Sequence, residues 1–254
     1  MTGTLDQKRA FAALTQARLE LGQRGRAMTT RDTQSFALDH AQARAAVQSA
    51  MDVVALSRAL ADEGLDTQAL VSEAASRDTY IRRPDLGRQL PDGARQTLEQ
   101  VAGDYDVAIV VADGLSATAV TLNGAAMVRA LTRAMHNADL SVAPVILAEQ
   151  ARVALGDSIA LALGAKTVVV LIGERPGLSA SDSLGAYITH RPEPGLPDSR
   201  RNFISNIRDA GLSVDEASRQ VMRLIGDMRR TGLSGVGLAS ALNALDGLDN
   251  GTQA

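Results

Sequence analysis

Glu174 and Arg175 lie within Gly173-Glu174-Arg175-Pro176-Gly177-Leu178, which follows directly on Lys166-Thr167-Val168-Val169-Val170-Leu171-Ile172. The apolar, β-branched run reads as a buried strand. A strand that stops on this segment delivers an acceptor, a cation and backbone-permissive glycines to its carboxyl end, where open α/β sheets bind ligands. The competing reading pairs Glu174 with Arg175 or with water and makes Pro176-Gly177 a plain turn. Groups suited to bond-making chemistry are scarce. His40, His136 and His190 are the only histidines, and they show no metal-ligand spacing. There are no cysteines, which excludes disulfides, thiolate metal sites and a cysteine nucleophile in this chain. Asp113-Gly114 with Ser116 could orient a nucleophile, but neither Gly-x-Ser-x-Gly nor a lysine-bearing phosphate loop is present. The residues therefore describe a binding domain in which no catalytic constellation and no metal-ligand spacing is apparent.

The elements that must position these groups follow from periodicity. Residues 1–75 read as helical, with Ala12, Leu14, Ala17, Leu19 and Leu21 near helical spacing and Gly22 and Gly25 as interruptions. Asp32 or Thr33 caps a second helix through Phe36, Leu38, Ala41 and Ala45 toward Met51–Leu60. Residues 76–92 read as a linker or extended arm, because Pro84 forbids regular helix around Arg82-Arg83-Pro84-Asp85. From about residue 95, strands at Val107–Val111, Val142–Leu147 and Thr167–Ile172 alternate with helices carrying Ala125–Met135 and Asp157–Leu163. An irregular Pro- and Gly-rich stretch follows. Residues 213–230 then form an amphipathic helix, with Val214, Ala217, Val221, Leu224, Ile225 and Met228 on one face and Ser213 as N-cap.

Strand–helix alternation implies an α/β fold, an open parallel sheet with flanking helices of the flavodoxin or Rossmann type. The expected division is a helical amino-terminal subdomain with an arm (residues 1–92) and an α/β domain (residues 93–254). Three βα loops, at Asp113, at Glu149 to Val153 and at Glu174, should then converge on one sheet edge. With 254 residues, 45% of them hydrophobic, the chain can bury a substantial core; aromatics are only 2%, so that core must be aliphatic. The net charge of -3 is spread over interspersed signs, which gives no nucleic-acid footprint. Residues 1–20 carry charges throughout and lack an export core, and Val168–Ile172 is far too short to span a bilayer. A cytoplasmic setting fits the cysteine count.

The segment around Glu174 is also one of several that resemble the small (light) subunit of ethanolamine ammonia-lyase. The others are Gly22-Gln23-Arg24-Gly25-Arg26, Leu38-Asp39-His40-Ala41-Gln42-Ala43-Arg44-Ala45-Ala46-Val47, Arg83-Pro84-Asp85-Leu86-Gly87-Arg88, Ala112-Asp113-Gly114-Leu115-Ser116 and Asn202-Phe203-Ile204-Ser205-Asn206-Ile207. They occur in the family's order over most of the chain. The resemblance implies an adenosylcobalamin-dependent lyase that converts ethanolamine to acetaldehyde and ammonia. Its radical chemistry resides in a TIM-barrel large subunit, and the small subunit encloses the cobalamin at the barrel mouth. It further implies a hetero-oligomer, free in the cytoplasm or enclosed in a bacterial microcompartment, with no membrane and no nucleic-acid partner. Cobalamin-binding positions carry over to Val153, Glu174 and Phe203. Phe203 departs from the family pattern, where a cysteine is common in this segment, so contact there would come from packing or a backbone group. Two other functions compete: a freestanding flavodoxin-like module binding a nucleotide or phosphate at Asp113–Ser116, and a purely structural partner subunit.

Overall fold

The computed structural model describes residues 28–251 together with residues 10, 11 and 14. Leu14 apart, the helical pattern expected over Ala12–Leu21, and the Gly22–Arg26 segment, lie outside those residues. Helix α1 (Thr30–Gln48) is capped by the Thr29 hydroxyl, which accepts from Asp32 N, rather than by Asp32 or Thr33. It stops at Ser49, and α2 (Val53–Ala61) starts afresh on Asp52, whose carboxylate accepts from Ala55 N. The pattern over 33–60 is therefore two helices, because Asp52 offers the second its own cap.

The helical reading of residues 1–75 is corrected at Thr67–Val71, which form strand β1. The stretch 76–92 is not merely extended. Arg77–Arg82 form a short helix, α3, that ends at Arg83 immediately before Pro84, and Leu86–Arg88 form one 3₁₀ turn. Next come α4 (Asp92–Glu99), β2 (Tyr105–Ala112), α5 (Ala117–Asn137), β3 (Val145–Glu149), α6 (Leu155–Leu163) and β4 (Ala165–Gly173). Val142, expected to open the second strand, makes only an isolated bridge to Val107. The irregular stretch beyond β4 holds two further strands, β5 (Leu184–His190) and β6 (Asn202–Ile207), before α7 (Val214–Thr231) and α8 (Val236–Gly251). Ser213 caps α7 as expected, accepting from Glu216 N.

The strands form one open sheet in the order β1-β3-β2-β4-β5-β6. The first four are mutually parallel, as the alternation implied, but β5 pairs antiparallel with both β4 and β6, so the sheet is mixed. Connection length explains the reversal. Only residues 174–183 join β4 to β5 and only 191–201 join β5 to β6; a parallel neighbour needs a longer crossover, usually through a helix.

Side chains alternate across the sheet. Val107, Ile109, Val111, Val169 and Leu171 pack on one face, together with Leu184, Ala186 and Ile188 of β5. Leu56 and Leu60 of α2, Met127 and Leu131 of α5, and Val221 and Ile225 of α7 belong to the same buried cluster. Ala108, Val110, Ala112, Val168, Val170 and Ile172 point to the other face, against Leu98 of α4 and Leu155, Ile159 and Leu163 of α6. Fully burying each Val, Leu or Ile is worth about 1.5–3 kcal/mol, so this aliphatic core is ample without aromatics. Among the described residues, no helix is long and apolar enough to cross a membrane.

Candidate functional site

Parallel strands bring the βα loops after β2, β3 and β4 to one edge, and short polar contacts lock them together. Asp113, at the end of β2 and 1% exposed, accepts from Gln150 N at 3.0 Å and Ala151 N at 3.1 Å. It also forms an ion pair with Arg77 of α3 at 3.2 Å. Burial pushes its carboxyl above the usual range, against the pull of those amides and of Arg77. The β2 loop is tied to the end of β4 by Leu115 N, which donates to Gly173 O at 2.9 Å. Gly114 sits between them at φ +56°, and a Cβ there would lie 2.2 Å from Gly173 O, so only glycine serves. Ser116 caps α5 and donates its hydroxyl to Ser181 O at 2.6 Å, drawing in the loop after β4 as well.

The arm between β1 and α4 completes the clamp. Ser72 Oγ donates to Gln150 O at 2.7 Å, the Tyr80 hydroxyl donates to Ala151 O at 3.0 Å, and Arg152 N donates to Gly87 O at 2.8 Å. The backbone N–H and C=O groups of Gln150 and Ala151 are thus all engaged from outside the loop, with Gln150 held at φ +54°. A non-glycine residue in that region is strained, and five external hydrogen bonds and an ion pair on the loop and its anchor hold it there. The result is a rigid platform that presents Arg152 and Val153.

Two adjoining depressions open on this platform. One, of about 420 Å³, is lined by Gly114, Leu115, Arg152, Val153, Gly173, Glu174, Arg175 and Tyr187, with Tyr80 beneath. The other, of about 320 Å³, is lined by Arg88, Arg152, Val153, Ala154, Tyr187, Asp198, Arg201 and Phe203. Of the residues singled out from sequence, Val153 lines both, Glu174 the first and Phe203 the second. Asp113 lines neither and acts beneath them as an anchor. Phe203 is not at the carboxyl edge but partway along β6, the last strand of the sheet. It lies on the face of β6 opposite Tyr187, and the two rings stack at 5.8 Å with 24° between planes.

Glu174 is positioned rather than paired with Arg175. Its Oε2 accepts from Ser183 Oγ and from Asn206 N, which brings the ends of β5 and β6 to it, while Oε1 has no partner among the described residues. Arg152 carries a buried Nε without a hydrogen-bond partner, and its guanidinium lies 4.3 Å from the Tyr80 ring centroid. Burial, then the charges of Glu174 and Asp198, push the Tyr187 phenol up, so it is a neutral donor at physiological pH.

The histidines lie elsewhere. His190, at the opposite end of the sheet, is buried and bonded through Nδ1 to Thr167 Oγ1 at 2.8 Å, and burial followed by Arg191 and Arg229 lowers its pKa. His136 lines a separate depression of about 270 Å³ at the amino ends of β2 and β3, away from Val153 and Glu174. His40 stacks on Phe36. Sequence reasoning gave no role to Arg152, Arg88, Tyr80 or Ser183. The Arg152–Tyr80 pairing spans a separation that no periodicity reports.

An open α/β domain with a clamped carboxyl edge and two adjoining depressions beside it has the form of a ligand-binding domain. Comparison with known proteins gives the family. Residues 5–239 match the family model for the ethanolamine ammonia-lyase light chain. The chain is 45% identical over 238 residues to an ethanolamine ammonia-lyase small subunit of Rhodopseudomonas palustris, covering 93% of this chain and 91% of that protein. It is 48% identical over 229 residues to one from Pseudomonas fluorescens, covering 89% and 84% respectively. A third relative, from Xanthomonas campestris, is 45% identical over 247 residues, 95% of this chain and 91% of the relative. The chain belongs to the ethanolamine ammonia-lyase small-subunit family.

Proposed function

We propose that this chain holds adenosylcobalamin along its carboxyl edge and against the large subunit of ethanolamine ammonia-lyase, with Val153, Glu174 and Phe203 in contact with the cofactor. The observation that carries the reading is the pair of adjoining depressions sharing Val153, Arg152 and Tyr187, with Glu174 in one and Phe203 in the other. The residues fit the group. Cobalamin is an apolar macrocycle fringed with carboxamides, which need acceptors for their N–H groups and donors for their oxygens. Glu174 Oε1 is a free acceptor, and the partnerless Arg152 Nε is a buried donor that a carboxamide or anionic oxygen would satisfy. Val153, Tyr187 and Phe203 supply apolar area, and Phe203 takes the place where the family often has cysteine by packing rather than by a polar contact.

When bound, the cofactor supplies the radical chemistry by which ethanolamine becomes acetaldehyde and ammonia. This chain's own part is binding, orientation and exclusion of water. Ser183 and Asn206 N fix the Glu174 carboxylate before the cofactor arrives, so little ordering cost remains at binding. Asp113 and the arm do the same for Val153. The large partner would present its own loops to the same edge, because TIM barrels and open α/β sheets both bind ligands at strand carboxyl ends.

The test is reconstitution. The purified chain alone should show no lyase activity and should gain it only with the large subunit and adenosylcobalamin. Acetaldehyde formation by the chain alone would overturn the division of labour.

A further inference from the structure

Resting on the cofactor reading above, we infer that Arg152, together with Arg88, seats the phosphodiester of the cobalamin nucleotide tail, and that the depression floored by Tyr187 and Phe203 receives that tail. The charges lining this depression are Arg88, Arg152, Arg201 and Asp198. Arg201 is already committed: it pairs with Asp157 of α6 and with Asp198 at 2.7 Å, and it donates to Leu196 O. Neither Arg88 nor Arg152 forms an ion pair among the described residues. The lining is left with a net positive charge in a half-enclosed, partly apolar hollow. A carboxamide fringe does not call for that charge. The single formal negative charge of the cofactor's phosphodiester does.

Two features show that the arginines are built into place. Gly87 makes a close approach of the arm possible, since a Cβ there would stand 2.9 Å from the Tyr80 ring and 3.0 Å from Arg152 Cγ. That approach, sealed by the bond from Arg152 N to Gly87 O, sets Arg88 beside Arg152. The Arg152 guanidinium rests on the Tyr80 ring and keeps its Nε buried and partnerless, with a planar fork ready for two phosphate oxygens. Beyond the arginines, the stacked pair of Tyr187 and Phe203 gives a flat apolar surface against which a benzimidazole base can lie.

The test uses the reconstituted two-subunit complex and two ligands that share the corrin and adenosyl groups, adenosylcobalamin and adenosylcobinamide, the latter lacking the nucleotide tail. Affinity is read by absorbance titration and equilibrium dialysis. Arg152→Gln should weaken adenosylcobalamin about tenfold or more, with adenosylcobinamide held within about twofold, as expected for loss of one charge-assisted contact. Arg152→Lys should recover part of the difference, and Arg88→Gln should weaken the same ligand selectively. Equal loss for both ligands, no loss for either, or dissociation of the two subunits in Arg152→Gln would overturn the assignment. Glu174→Ala separates the two levels of the argument. If it weakens both ligands while Arg152→Gln shows no selectivity, only the phosphodiester seat is lost. If neither variant alters either ligand, the cofactor reading falls with it.

Discussion

One face of the sheet is roofed by α2, α5 and α7 from β1 across to β6, whereas on the other face α6, backed by α4, covers β2 and β4 and leaves β5 and β6 open. On the covered face Leu184, Ala186 and Ile188 of β5 and Ile204 of β6 are sealed beneath helices. On the other face the same two strands present Tyr187, half-buried, and Phe203, 63% exposed. Strand alternation places both sets on adjacent residues of the same strands, so burial here is decided by where helices stop. The uncovered part borders the clamped loop and joins the carboxyl edge. The proposed binding surface lies where the packing ends, and the covered face gives it rigidity.

The largest expected effect comes from the anchor between the two regions. Asp113→Ala leaves two loop amides and Arg77 without their acceptor, and breaking a buried pair of this kind costs about 3–5 kcal/mol. Denaturant unfolding should show that loss, and cofactor affinity should fall with it as the 150–153 loop relaxes. A stability change below about 1 kcal/mol, within the range of ordinary surface substitutions, would contradict the clamp.

The faces themselves can be contrasted with one truncation on each. Ile225→Ala, on α7 and 1% exposed, should cost about 2–5 kcal/mol of stability and leave intrinsic cofactor affinity alone. Phe203→Ala should change stability by no more than about 0.5 kcal/mol yet cost about 0.5–1.5 kcal/mol of cobalamin affinity through the lost ring contact. Thermal unfolding with parallel ligand titration reads both. A Phe203→Ala variant as destabilised as Ile225→Ala would erase the distinction between the faces.

The legibility of the molecule in its sequence follows the same boundary. The runs at Val107–Val111 and Thr167–Ile172 are continuous because parallel strands are buried on both faces, and that signal is strong. Strand β5 alternates Leu184, Ala186 and Ile188 with Gly185, Tyr187 and Thr189 amid prolines and glycines, so its period is diluted and it reads as irregular. Strand β1 is a short edge strand whose partner, β3, lies far along the chain. Convergence of the βα loops was legible from topology alone. The anchoring role of Asp113 was not, since it depends on amides at Gln150 and Ala151, nor was the use of the arm through Ser72, Tyr80 and Gly87. The positions Val153, Glu174 and Phe203 came from family resemblance, and composition or spacing would not have selected them.

A smaller effect concerns the end of the sheet remote from the site. Because burial and two arginines hold the His190 pKa below its ordinary value, the folded state disfavours its protonation. Its contribution to stability is therefore full above the unfolded-state pKa of about 6.5 and is lost as pH falls below it. His190→Gln should abolish this component, so the stability difference between wild type and variant should shrink from pH 7.5 to pH 5.5 on the order of the linkage slope. A difference that does not vary with pH would show His190 equally protonated in both states.

The central claim is that the edge bearing Glu174 holds cobalamin, and titration of adenosylcobalamin into the reconstituted complex carrying Glu174→Ala tests it most directly. Removing one charged acceptor should cost about 1–3 kcal/mol of affinity, roughly 5- to 150-fold, with the unfolding transition of the chain little changed. Wild-type affinity in that variant, with the two subunits assembled normally, would contradict the account.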